Sequence, residues 1–335
     1  MIELAVAFIG ISLLLYVVLG GADYGAGIIE IFMGNKGMGT IAKAIAPVWE
    51  ANHIWIIVVI VILFNAFPEV YSTATMYLHI PLMLVLIGII FRGTAFAFRY
   101  YDPYKDKSHQ AYTLIFKIFS LLTPFFLGVT LGAVILGRLT TDNSLSFYER
   151  FVAPWFNIFA IALGIFIVIL FAYLAAVYLM GETKDENDRK QFSRYSIRLL
   201  AALVITGALV FLAAQLNGLP LLHLYLNSRI SILCAGVATL LLPFFLHAQK
   251  RGMKNRMRIL AGTQTAAIII AWFGSQYPVL VTLKDSSSLT VYNTAAPPKT
   301  LLMMIIALII GLAVVIPLLL YLFRVFKFSK DEAEL

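Results

Sequence analysis

Residues 153–180 read APWFNIFAIALGIFIVILFAYLAAVYLM and contain no charged side chain. A helix needs about 20 consecutive apolar residues to cross the hydrocarbon core of a bilayer, and this run is longer than that. It therefore predicts a transmembrane helix. Similar runs predict eight more spans, at residues 3–33, 51–67, 75–98, 114–137, 197–216, 229–248, 258–275 and 300–326.

The composition of the whole chain agrees with this pattern. Of the 335 residues, 61% are hydrophobic and 13% are charged, whereas a soluble domain carries about 25% charged residues. The segments between the spans leave no room for a soluble domain or a nucleotide-binding loop, which excludes an ATP-driven pump within this chain. We therefore predict an all-α polytopic membrane protein with nine transmembrane helices, in a single integral membrane domain over residues 1–335.

Lysine and arginine residues predict the orientation, because they concentrate on the cytoplasmic side of a membrane protein. With the N-terminus outside and the C-terminus in the cytoplasm, 18 of the 25 Lys and Arg residues fall in inner segments, five fall in outer segments and two fall within spans. The opening MIELAVAFIG lacks the basic region and cleavage site of a signal peptide, so we expect it to be retained. The net charge of +8 then reflects topology and lipid contact, and it does not indicate nucleic-acid binding.

Ionisable residues concentrate in the first four spans, at the predicted inner depth. A charge at mid-membrane costs at least about 2.5–3.5 kcal/mol and usually faces the interior of the helix bundle. Spans five to eight carry no Asp or Glu in their apolar cores. This asymmetry indicates that the first four helices carry the function. The ionisable residues of those helices are Asp23, Glu30, Glu50, His53, Arg92 and Lys117.

Four of these residues also have a structural explanation. Asp23 could bond to the backbone that its neighbouring glycines loosen, and Glu30 could be solvated at the membrane boundary. Glu50 could stabilise a helix N-terminus as a capping carboxylate. Arg92 could extend to the lipid headgroups, or it could pair with Asp23 as a structural clamp.

The Glu-x-x-His sequence formed by Glu50 and His53 raises the question of a metal site. Such motifs build two-metal centres in helix bundles, but they occur in pairs together with two further glutamates. The chain has no second Glu-x-x-His, which disfavours a metal centre. Haem ligation by this chain is disfavoured as well, because the remaining histidines lie at unmatched depths or in loops: His79, His109, His223 and His247.

Several stretches of the chain together resemble subunit II of cytochrome bd-type quinol oxidases. They follow one another in the family's order and cover nearly the whole sequence. In chain order they are GADYGAGI, PVWEANHIW, FPEVY, FRGTAFAFR, TPFFLGVTLGAVILG, YPVLVTLKDSSSLTVYNTA and IPLLLYLFRVF.

The resemblance implies a heterodimer of the respiratory chain, in the plasma (inner) membrane of a prokaryote. The partner, subunit I, would carry haems b and d, the quinol site and the oxygen-reducing centre. This chain would bind no cofactor directly, apart from a structural quinone or lipid, and a small single-helix accessory subunit could join the complex. The implied fold has two four-helix bundles and a peripheral helix, at residues 1–138, 139–276 and 277–335, the last range including an outer loop.

The motif around Glu50 departs from the family in three places. The family commonly has Asp in place of Glu50, Gly in place of Ala51, and Gln or Glu in place of His53. Some members also carry an aspartate early in the fourth span and a Gly-Asn pair later in it. This chain has YTLIFKIF and Gly132-Ala133 there, so the roles of those groups do not carry over.

Oxygen reduction consumes protons, and carboxylates at the inner depth of a helix bundle are suited to deliver them. We therefore expect Glu50 and Asp23 to relay protons from the cytoplasmic side towards the partner's haems. His53 would tune or extend this relay. Arg92 would adjust the proton affinity of Asp23 by charge pairing.

Two tryptophans stand near the predicted start of the second span. Trp49 and Trp55 are typical of helix anchors at the membrane interface, and apolar surface near Trp55 is a candidate oxygen route.

A proton-coupled secondary transporter would use the same buried charges, and a structural membrane scaffold would use none of them chemically. Co-purification with a haem-bearing second chain distinguishes an oxidase subunit from both.

Overall fold

The computed structural model describes residues 1–33, 41, 51–102, 107–183, 185–284 and 288–325. Helices dominate this part of the chain. In order they are α1 (Ile2–Leu15), α2 (Gly21–Met33), α3 (Ile54–Ala66), α4 (Pro68–Tyr77), α5 (His79–Tyr101), α6 (Lys107–Ile135), α7 (Phe147–Phe151), α8 (Ile158–Glu182), α9 (Glu186–Leu216), α10 (Leu221–Asn227), α11 (Arg229–Lys250), α12 (Lys254–Gln276) and α13 (Pro298–Phe323).

The number of long apolar helices agrees with the predicted polytopic fold. Within the described residues, eight helical segments are long and apolar enough to cross a membrane, with α1 and α2 counted as one. The pair Ala51–Ala66 and Pro68–Tyr77 would make a ninth span if both pieces are taken together. The all-α polytopic prediction is confirmed.

The first span contains a local change of helix type. A π-helical turn, Tyr16–Gly20, joins α1 to α2. The N–H of Gly21 donates to the carbonyl oxygens of both Tyr16 and Val17, which combines the π pattern (i−5) with the α pattern (i−4). The sequence predicted that the glycine-rich stretch loosens this helix, and the change begins one turn earlier, at Tyr16.

The second span ends where the sequence predicted, at Phe67. A 3₁₀ turn, Ala51–His53, leads into α3, and α4 follows α3 at an angle of 115°. Pro68 stands in the first turn of α4, where the N–H that proline lacks would have no partner within the helix. The bend is tied to the segment before α13, because the N–H of Ala296 donates to the carbonyl oxygen of Ala66 at 2.8 Å.

A small sheet marks one end of the molecule, which we call the hairpin end. Strands β1 (Val279–Thr282) and β2 (Ser288–Thr290) pair antiparallel, and Leu139 after α6 forms a bridge with Leu283. The segment between α12 and α13 was predicted to be a loop, and its described residues form no helix. The opposite end, which we call the basic end, contains the last residues of α2, α5, α8 and α11.

Helix α8 lies at the centre of the packing. All of residues 170–177 are buried, and α8 packs against α2, α6, α9 and α12. Close approach depends on small residues, since a Cβ on Gly128 would lie 2.7 Å from the Cα of Gly164. The predicted division into two four-helix bundles is compatible with these contacts and stays a prediction.

Two helix boundaries at the basic end differ from the predictions. The sequence predicted a span that starts at residue 197, but α9 already begins at Glu186. The side chain of Asp185 caps it by accepting from the N–H groups of Asn187 and Asp188, an arrangement that stabilises a helix start. Likewise α12 begins at Lys254, before the predicted start at residue 258. Hydropathy does not detect these polar first turns.

Candidate functional site: a buried ion-pair ladder

Two helices of the first half carry opposite charges at the same spacing. Asp23 and Glu30 lie seven residues apart on α2, and Arg92 and Arg99 lie seven residues apart on α5. Both helices run towards the basic end, so equal spacing produces two matching levels. Each acid pairs with the arginine 69 positions later in the chain. We call these two pairs, together with Lys117, the ion-pair ladder.

The first rung of the ladder joins Asp23 and Arg92. Nη2 of Arg92 donates to Oδ1 of Asp23 at 2.8 Å and to its backbone oxygen at 3.1 Å. Nε of Arg92 donates to Oγ of Ser120 at 3.1 Å. Arg92 is only 1% exposed, so its side chain does not extend to the headgroups. The predicted charge pair is present, and its hydrogen bonds offset part of the cost of burying two charges.

The second rung gathers two cations around one carboxylate. Nη1 of Arg99 donates to Oε1 of Glu30 at 2.8 Å and to Oε2 at 3.0 Å. Nζ of Lys117 lies 3.7 Å from Oε1 of Glu30. Because Glu30 is 0% exposed, it is not solvated at the membrane boundary, and that explanation of this residue was wrong.

An aromatic ring separates the two rungs. The Cζ atoms of Arg92 and Arg99 lie 5.0 Å and 4.3 Å from the centroid of the Phe116 ring, within the range of cation–π attraction. Phe116 is fully buried. The Phe116 ring therefore lies as an apolar group between two separate polar sites.

A group of buried polar atoms lies beside the first rung. The His53 ring is centred 5.9 Å from the Tyr24 ring and 6.4 Å from the Tyr16 ring, and Cζ of Arg92 lies 4.5 Å from the centroid of the Tyr24 ring. Four buried atoms of this group form no hydrogen bond of regular geometry to any described residue: Oδ2 of Asp23, Nδ1 of His53 and the hydroxyls of Tyr16 and Tyr24. The two hydroxyls interact with each other. We call these four residues the polar pocket. Buried polar atoms without a protein partner are commonly satisfied by ordered water.

The structure brings three of the predicted site residues together. Asp23 and Arg92 form the first rung, and His53 lies beside it in the polar pocket. Glu50 and Trp49 lie outside the described residues. Trp55 is 8% exposed and belongs to the core cluster around α8, so its side chain does not face outward as an interface anchor would.

Sequence reasoning missed the second rung and both tyrosines. Glu30, Arg99 and Lys117 were not assigned to a site, although a signal existed. The acids of the first span and the arginines of the third share a spacing of seven, and these spans run in the same direction. Tyr16 and Tyr24 gave no comparable signal, because tyrosine is common in apolar helices.

The metal-ligating side chains are dispersed. Among the described residues, no group of three or more His, Cys, Asp or Glu could hold a metal ion. Nδ1 of His79 lies 2.9 Å from the carbonyl oxygen of Met76, and Nδ1 of His109 lies 3.7 Å from Oδ2 of Asp102.

Comparison with known proteins gives the family. Residues 1–326 match the family described as cytochrome bd terminal oxidase subunit II. The chain belongs to this family. It is similar to cytochrome bd ubiquinol oxidase subunit 2 of Bacillus subtilis, with 25% identity over 333 residues, which cover 97% of this chain and 94% of the relative. It is also similar to cytochrome bd-I ubiquinol oxidase subunit 2 of Escherichia coli, with 27% identity over 202 residues, which cover 58% of this chain and 52% of the relative.

A solved structure agrees at the level of the fold. The chain resembles one in the structure of bd oxidase from Geobacillus thermodenitrificans, with a TM-score of 0.79, 19% identity and 98% of both chains covered. Membership of the subunit II family makes this chain a subunit of a cytochrome bd quinol oxidase, a terminal oxidase whose complex contains haems.

Proposed function

We propose that this chain is the non-haem subunit II of a quinol:oxygen oxidoreductase, that it pairs with a haem-bearing subunit I, and that it takes up protons from the cytoplasmic side. Both curated relatives are called subunit 2 of a ubiquinol oxidase, which supports a partner subunit. The haems of the complex supply the oxygen chemistry. Water forms from oxygen only when protons reach it, and the contribution of this chain is their delivery.

The polar pocket is the observation that carries the proposal. Oδ1 of Asp23 is held by Arg92, whereas Oδ2 is buried without a partner among the described residues. Nδ1 of His53 is in the same condition, and the hydroxyl of Tyr24 interacts with that of Tyr16. Carboxylate, imidazole and phenol groups can all exchange protons with water. Water bound between these atoms connects them into one path.

Arg92 and Glu50 have distinct parts in this path. Arg92 orients Asp23 through Oδ1 and so leaves Oδ2 free to bond water. Glu50 precedes His53 by three residues in the sequence. We assign Glu50 the role of the first carboxylate that receives protons from the cytoplasmic side. The basic end is that side, in agreement with the distribution of Lys and Arg.

A neutral replacement of the first rung tests the relay. Asp23→Asn alone leaves Arg92 buried without a counter-charge, at a cost of about 3–5 kcal/mol, so a folding defect would confuse the result. The double replacement of Asp23→Asn with Arg92→Gln removes both charges and keeps groups that can hydrogen-bond. The matched control is Glu30→Gln with Arg99→Gln, the same change on the second rung. Each variant is purified with subunit I and reconstituted into liposomes.

Quinol oxidation, proton uptake and haem spectra are then measured on the same samples. The first-rung variant should lose about 100-fold in turnover, a typical loss for a proton-transfer group, with unchanged haem spectra. The second-rung control should keep most of its turnover, and Glu50→Gln should resemble the first-rung variant. Wild-type turnover in the first-rung variant would mean that Asp23 and Arg92 form a structural ion pair with no role in proton transfer.

A further inference from the structure

The π-turn Tyr16–Gly20 changes which residues of the first span share a face. Residues eight apart point about 80° apart in a regular α-helix, because each residue advances the helix by about 100°. A π-turn takes up one additional residue, so residues eight apart across it align like residues seven apart, within about 20°. Tyr16 and Tyr24 are eight residues apart, and the π-turn lies between them. Both rings contact His53 as a result.

Two neighbours hold the turn in this form. Gly20 leaves space for the Tyr16 ring, since a Cβ at position 20 would lie 3.3 Å from that ring and 3.8 Å from Cβ of Asn52. Nδ2 of Asn52 donates to the carbonyl oxygen of Leu19 at 3.4 Å, and Asn52 is buried. This hydrogen bond ties the π-turn to the second span.

The hydroxyl of Tyr16 is buried and incompletely bonded. The side chain is 2% exposed, and its oxygen interacts with the hydroxyl of Tyr24 without forming a hydrogen bond of regular geometry to any described residue. An incompletely bonded buried hydroxyl is unfavourable. Water in the polar pocket would complete its hydrogen bonding.

We propose that Tyr16 is a further member of the proton path and that Asn52 is the positioning residue that keeps the π-turn, and with it the Tyr16 hydroxyl, in the polar pocket. This inference rests on the proposed proton uptake and deepens it. The hydroxyl donates its own proton to one water as it accepts a proton from another. The phenol is therefore neutral before and after each transfer, and no other reactant is needed.

Tyr16→Phe tests the inference, because it removes the oxygen and keeps the ring. The matched control is Tyr173→Phe, which removes another buried hydroxyl. That hydroxyl lies outside the polar pocket and donates to Oε1 of Gln264 at 3.0 Å. Both are studied in the complex with subunit I, in liposomes, next to the neutral Asp23 and Arg92 variant. The readouts are turnover, proton uptake, the solvent isotope effect on turnover, and haem spectra.

Tyr16→Phe should slow turnover about tenfold, less than the loss of a complete proton-transfer group, because water can partly bridge the gap. The solvent isotope effect should rise, since proton transfer becomes slower than the other steps. Asn52→Ala should change both quantities in the same direction and to a smaller extent. Tyr173→Phe should change neither, and all haem spectra should match the wild type.

The two proposals fail separately. If Tyr16→Phe turns over at the wild-type rate with an unchanged isotope effect while the neutral first rung is slow, Tyr16 has no place in the path and the proton uptake proposal stands. If both variants turn over like the wild type, both proposals are overturned. A Tyr16→Phe complex that is slow only because less of it assembles, with a normal rate per haem, also overturns the inference.

Discussion

Arg99 and Lys117 approach the same carboxylate with different geometry, and this difference can be measured. Arg99 is buried and bonds both oxygens of Glu30, whereas Lys117 is 18% exposed on its side chain and stands 3.7 Å away. Arg99→Met should therefore lower the free energy of unfolding by about 3–5 kcal/mol, because it leaves a buried ion pair broken. Lys117→Met should cost much less. Thermal unfolding of the purified complex in detergent compares the two, and equal losses would contradict this ranking.

Some contacts of individual residues could be predicted from the sequence, and others could not. Asp23 and Arg92 were predictable as partners, because a membrane interior forces such charges to pair. Glu30 was misjudged, because its position near a membrane boundary fits a solvated carboxylate as well as a buried one. Glu30 is buried because Arg99 and Lys117 pair with it. A hydropathy profile carries no information about such contacts between helices. For Tyr16 the deciding factor is an added residue in a helical turn, which depends on contacts with another span.

Glycines decide how closely two central helices approach each other. A Cβ on Gly25 of α2 would overlap the carbonyl oxygen of Phe171 in α8, and it would lie 2.8 Å from Cβ of Ala175. Gly25→Ala should destabilise the complex by about 1–3 kcal/mol or more, because a backbone atom yields less than a side chain. The control is Gly10→Ala in α1, whose Cβ would meet nothing within 4 Å. It should be neutral or slightly stabilising, and similar melting temperatures for both variants would contradict the packing argument.

At the scale of elements, the spans were largely predictable and their ends were not. The bend at Phe67 coincides with a predicted span end, because Pro68 follows it and favours an extended residue before it. The early starts of α9 and α12 escaped prediction, since their first turns consist of polar residues. The π-turn was anticipated only as a loosened stretch. Its position at Tyr16 depends on Gly20 and Asn52, which come together through tertiary contacts.

The orientation of the whole molecule is a prediction with a direct test. In a Cys234→Ala background, Ser144→Cys places a thiol at the exposed hairpin end and Lys190→Cys places one at the exposed basic end. With the N-terminus outside, a membrane-impermeant maleimide should label the first variant in spheroplasts and the second only after the membrane is opened. The reverse pattern would invert the side from which we propose that protons are taken up.

The ladder has a consequence for biosynthesis. The partners in each rung are separated by 69 residues, and ribosomes add about 5–20 residues per second. Asp23 and Glu30 are therefore made about 3–14 seconds before the arginines that neutralise them. During that interval neither acid can face lipid at low cost, so the first span must stay beside the insertion machinery until the third arrives. The order of synthesis and the pairing of charges together make the first three spans a single unit of membrane insertion.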